Sequence, residues 1–131
     1  MSDVRALQMP FNLAESFVLA AEREVGATFP PSYRSAMLGA NGGEVETEDD
    51  VWELYPIADT SDRKRLSRTA NHVIKETGVC RTWRGFPGNA LAIAGNGAGD
   101  QLVLLKQGAA LESAVYAWSH GSQAGCAPST A

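Results

Sequence analysis

One glycine run, two charged runs and a scatter of soft ligands are the parts of this sequence whose residue types could do chemistry. Gly95-Asn96-Gly97-Ala98-Gly99-Asp100 offers closely spaced backbone N–H groups of the kind that cradle a phosphate. Its spacing is GxGxG, whereas a dinucleotide loop needs GxGxxG opening a helix; no Lys-Ser/Thr follows, and Asp100 would repel an anion. The residues favour a tight hairpin turn instead. Nucleophilic catalysis has no local signature: the GxSxG elbow is absent, and neither Cys80 nor Cys126 stands in a protease-like context. His120 reads as a strand-end histidine making a hydrogen bond rather than as a general base. Zinc would have only His72, Cys80, His120 and Cys126 to draw on, and structural sites usually supply their ligands in close pairs, which these do not form. The acidic run lacks the D-x-[DN]-x-[DN]-G order of a calcium loop. The expectation is no catalytic residue, no metal and no cofactor.

The charged runs carry more information. Glu44, Glu46, Glu48, Asp49, Asp50 and Glu53 follow one another with no base among them, whereas between Asp62 and Arg84 seven bases stand against two acids. In extended backbone, carboxylates two residues apart are separated by about 6.6 Å, inside the screening length of about 8 Å, so they raise one another's energy. A positively charged partner would relieve that repulsion. Trp52 and Tyr55 follow at once, and large aromatics beside charge are common interface anchors. These eight residues are the expected docking surface for a basic protein. Arg65, Arg68 and Lys75 form the alternative, a basic helix face that is either solvated, facing water or the protein's own acidic segment, or a second docking surface. A sequence pI near 5.1 disfavours nucleic acid.

These groups must be held by a small scaffold. The 131 residues, 44% hydrophobic and with net charge −4, fit one domain, read as residues 1–121 with a flexible Gly/Ser/Ala/Pro tail over 122–131. No window approaches 18 apolar residues and no signal-like start is seen, so a soluble cytoplasmic protein without membrane contact is expected. A helix capped by Asn12 and Glu15 should turn Leu13, Ala14, Phe17, Val18, Ala21 and Val25 to the core and stop at Gly26. Pro30-Pro31 starts a second helix, which Asn41-Gly42-Gly43 ends. Val51 to Ile57 reads as a strand, and Asp62 to Thr77 as one amphipathic helix with a basic outer side. Ala90 to Ala94 and Leu102 to Leu105 flank the glycine turn, and Ser113 to Trp118 adds a further strand. The order predicts an α+β fold: a mostly antiparallel sheet of about four strands with about three helices.

Three stretches taken together resemble the SUKH superfamily of Smi/Knr-like domains. They are Phe29-Pro30-Pro31-Ser32-Tyr33-Arg34 leading to Asn41-Gly42-Gly43, Leu91 to Asp100, and Val115-Tyr116-Ala117-Trp118-Ser119-His120. The resemblance spans about residues 13 to 120; residues 44 to 88 follow no family pattern. It implies an α+β fold without known catalytic activity, with Gly95, Gly99, Asp100, Trp118 and His120 as structural positions. Bacterial members look like immunity proteins that neutralise toxins, often nucleases; yeast relatives are regulators of cell-wall assembly. The functional expectation is a non-catalytic immunity protein that binds a polymorphic toxin through an acidic surface. The alternative is a regulatory or scaffold module using the basic helix face, and a small-molecule enzyme is disfavoured. Oligomeric state is left open.

Overall fold

Proline, glycine and two carboxylates set the geometry of the first half of the chain. The computed structural model describes residues 11–47, 50–119 and the backbone of 126–128. Helix α1 (Glu15–Val25) starts later than the Asn12 cap predicts: its N-cap is Ala14, without a side-chain bond. Glu15, expected to close the capping box, instead accepts from Arg34 of the next helix at 2.8 Å. Gly26, at φ 79°, ends α1 in the left-handed conformation. Glu22 accepts the Phe29 N–H at 2.8 Å and lies 3.6 Å from Arg34, which folds the chain back into α2 (Pro31–Gly39).

The acidic stretch is partly strand. β1 (Gly43–Glu46) pairs antiparallel with β2 (Val51–Leu54), with Glu44 opposite Glu53 and Val45 opposite Trp52. Asn41, buried just before β1, performs the pairing of an extra strand. Its Oδ1 accepts the Ile57 N–H at 2.8 Å and its Nδ2 donates to the Ile57 carbonyl at 2.7 Å.

The single helix expected over Asp62 to Thr77 is two. α3 (Arg63–Arg68) and α4 (Val73–Cys80) are separated at Thr69–His72. The Thr69 hydroxyl accepts the Asp59 N–H at 3.0 Å and donates to the Arg65 carbonyl at 2.9 Å, which ties the end of α3 back to the segment before it. His72 Nδ1 then accepts the Lys75 N–H and starts a new helix, whose first N–H, from Val73, donates to the Pro56 carbonyl at 2.8 Å. Leu66, which the single-helix stripe would bury, is 53% exposed.

β3 (Ala90–Gly95), β4 (Gln101–Gln107), β5 (Ala110–Trp118) and β6 (Cys126–Pro128) complete a six-stranded antiparallel sheet whose spatial order equals the chain order. The fold is α+β, with β1 and β6 beyond the four strands read from the sequence; β6 lies in the stretch expected to be a tail. β2 pairs only with Ala94 and Gly95 of β3. Further along β3, α4 takes over, and the Thr77 hydroxyl accepts the Ala92 N–H at 2.9 Å.

On one side of the sheet the helices bury Val18, Met37, Trp52, Ile57, Val73, Leu91 and Leu104. On the other, Trp118 is fully buried beneath the segment after α4. Its indole stacks on Trp83 at 5.8 Å, meets Phe86 edge-on at 5.1 Å, and donates to the Gly85 carbonyl at 3.3 Å.

Replacing Asn41 by Ala leaves the N–H and C=O of Ile57 buried without partners, each at about 1 to 3 kcal/mol. Urea unfolding of Asn41→Ala should therefore show a stability loss of about 2 to 6 kcal/mol, with the midpoint shifted and the slope unchanged.

Candidate functional site

Between the β1–β2 hairpin and the end of α3 lies a cleft of about 740 Å³. Glu44, Glu46 and Glu53 line it from the hairpin, Asn41-Gly42-Gly43 from its base, and Asp59 and Arg68 from the α3 side. Alternation along two short strands explains the concentration of charge. Glu44 and Glu46 point the same way from β1, and Glu53 and Val51 are their cross-strand neighbours, so three exposed carboxylates and one exposed valine share a face. Like charges directly opposite one another destabilise a hairpin, so this one needs support from elsewhere.

That support comes from the glycine loop. Asn96 Nδ2 donates to Asp50 at 2.6 Å and to Asp100 at 3.1 Å, while its Oδ1 accepts the N–H groups of Ala98 and Asp100. Asp50 also accepts the N–H of Val51 at 2.9 Å. Gly95-Asn96-Gly97-Ala98-Gly99-Asp100 is thus a hairpin turn, with Gly97 and Gly99 at positive φ, and the amides of Ala98 and Asp100 are directed to Asn96. Asp50, read from sequence as part of the docking run, is a latch between two turns.

Neither expected aromatic anchor stands exposed among the glutamates. Trp52 is buried on the helix side of the sheet, its indole donating to the Thr47 hydroxyl at 3.2 Å. Tyr55 is half-buried, donates to Gln101 at 2.8 Å, and covers Gly95 so closely that a Cβ there would overlap its hydroxyl. Burial pushes the Tyr55 phenol up to about 12. The apolar group that does stand among the glutamates is Val51, which sequence reading passed over; the alternation of the hairpin was the signal that could have found it. Glu48, Asp49 and His120 lie outside the described residues.

The basic residues do not form one helix face. Arg65 is engaged by Asp62 at 2.9 Å and Asp59 at 3.6 Å, and lies 4.3 Å from the Phe11 ring centroid. Arg68 lies 4.8 Å from the same ring and lines the cleft opposite the glutamates. Lys75 stands exposed on α4, beyond the helix break. Asp62 caps α3: the backbone N–H and then the guanidinium of Arg65 hold its carboxyl below the usual carboxylate range. Cys80 is a buried thiol pushed up to about 11 by desolvation, with Glu76 adding to the shift, so at neutral pH it is not a thiolate nucleophile. Burial drives the Tyr33 phenol still higher. Among the described residues no three His, Cys, Asp or Glu side chains converge as metal ligands, and no helix is long and apolar enough to cross a membrane.

The architecture defines a class: an antiparallel six-stranded meander with helices on one side, an aromatic clamp on the other, and a charged hairpin left open at one end. Residues 12–129 match the SMI1 / KNR4 family (SUKH-1), and the chain belongs to that family. No curated protein and no solved structure matches it.

Two measurements test this geometry. Gly95→Ala should destabilise the protein by about 1 to 3 kcal/mol through overlap with the Tyr55 hydroxyl, and adding Tyr55→Phe should restore part of the loss in thermal unfolding. Asp62 has a lowered folded-state pKa, so its contribution is present above its unfolded value and disappears as pH falls through the folded one. Asp62→Ala should accordingly lower the urea midpoint at neutral pH, with the gap from the parent closing as pH falls from the usual carboxylate range to below it.

Proposed function

We propose that this chain is a non-catalytic protein-binding domain that neutralises a toxin in the cytoplasm of the cell it protects. The docking surface is the outer face of the β1–β2 hairpin. One observation carries the reading: Glu44, Glu46 and Glu53 are exposed together on a hairpin whose position is fixed by Asn41 at one end and Asp50 at the other. A rigid anionic face is pre-organised for a cationic partner and raises its encounter rate over long distances. Nucleases fit that description, because a cleft that binds nucleic acid must itself be basic. Family membership supports a protein partner. The basic-face alternative gains nothing comparable, since Arg65 already pairs within the chain and Lys75 stands on a different helix.

The test is kinetic. The triple variant Glu44→Lys, Glu46→Lys, Glu53→Lys should associate with the toxin domain encoded by the adjacent reading frame about 10- to 1000-fold more slowly than the parent at low ionic strength. The parent's own rate should fall as salt is added. An association rate indifferent to both changes would remove this face from the interface.

A further inference from the structure

Asn41 and Asn96 each precede a glycine, and the fold treats the two pairs oppositely. An Asn-Gly step leaves an amide side chain open to attack by its own backbone, because glycine has no Cβ to obstruct the approach of its nitrogen to the asparagine Cγ. At Asn41-Gly42 both residues are buried, and Ile57 holds the amide at both ends, at 2.7 and 2.8 Å. At Asn96-Gly97 the asparagine is half-buried, Gly97 and Ala98 are exposed, and the Gly97 N–H donates to no acceptor among the described residues. The Asn96 Oδ1 already receives the N–H groups of Ala98 and Asp100 at 2.9 and 3.2 Å. Those donors face the negative charge that an attack on Cγ places on that oxygen. The Nδ2, which is the leaving group, lies 2.6 Å from the Asp50 carboxylate, which is placed to carry a proton to it.

We propose that Asn96 is a self-modification site whose conversion to an acid opens the latch between the β1–β2 hairpin and the β3–β4 turn. The Gly97 nitrogen bonds to Asn96 Cγ, the Cγ–Nδ2 bond breaks, and the proton displaced from Gly97 departs on Nδ2 as ammonia. Water then adds across one of the two C–N bonds that close the cyclic imide at position 96, giving aspartate or isoaspartate. Either product loses the donor that joined Asp50 to Asp100. A carboxylate replaces it beside two others, and like charges so placed move apart or take up a proton. The hairpin, no longer tied to the neighbouring turn, opens more often. The inference does not rest on the toxin reading, since it concerns the protein alone.

Peptide mass spectrometry on the purified full chain, incubated in warm neutral buffer and sampled over weeks, tests the chemistry. Acid should accumulate at position 96 at least about tenfold faster than at position 41, since Asn41 reacts only after its buried bonds have opened. A synthetic peptide with the sequence of residues 91–103 sets the rate of the same step without the fold, and the chain should convert within the time the peptide takes. The acidic form, separated by its additional negative charge, should show faster hydrogen exchange at the amides of β1 and β2 than the unconverted chain. Asn96→Asp should reproduce that gain. A lead over Asn41 smaller than this, an Asn96 amide that outlasts the peptide's, or an acidic form whose hairpin exchanges no faster overturns the proposal.

Discussion

The side-chain amide of Asn41 is the interaction on which the functional end of this molecule depends. A buried backbone N–H and C=O must find partners, and at Ile57 both are met by one asparagine located 16 residues earlier in the chain. Asn41 follows α2 and precedes β1; Ile57 follows β2. One pair of hydrogen bonds therefore closes the base of the hairpin and seats it against the helices. The surrounding contacts build on that node: the Asn41 N–H donates to the Phe11 carbonyl, and the Val73 N–H to the Pro56 carbonyl, so the start of the described chain and α4 are drawn to the same place. Asn41 itself lines the base of the cleft between the hairpin and the end of α3.

The sheet's outer side is divided between two kinds of order. At the β4–β5 end it is closed by aromatic packing, with Trp118 under Trp83 and Phe86. At the β1–β2 end it is open and charged. The division follows from alternation: residues facing the clamp are Val103, Tyr116 and Trp118, while those at corresponding positions of the hairpin are Glu44, Glu46 and Glu53. Desolvating carboxylates is costly, so the second group cannot take part in a dry core, and the electrostatic strain it places on the hairpin is met by the Asp50–Asn96 latch.

Local chemistry made much of the scaffold legible. Pro31 and Gly26 placed the α1–α2 turn, the glycine run placed the β3–β4 turn, and the period-two pattern of Tyr116 and Trp118 placed β5. What escaped was set by tertiary contact. β1 has a single apolar residue, Val45, in four, so nothing in its composition separates it from a solvated loop. The break between α3 and α4 is invisible to periodicity, because Leu66, Ala70, Val73 and Ile74 continue a helical pattern across it; it comes from Thr69 bonding to Asp59 and from His72 acting as a cap. The site was legible in its charge but not in its direction. Trp52 and Glu53 are adjacent, and which of them faces the core depends on the hairpin register, which residue types alone do not reveal.

The latch and the asparagine clasp have a bearing on how such a domain diversifies. Both fix the hairpin through residues that are not on its outward side, and neither uses the side chains at 46, 51 or 53. Changes at those three positions rewrite what the surface displays while the backbone beneath keeps its shape. Recognition and architecture are thereby inherited separately, and a lineage can acquire a new address by altering a handful of codons.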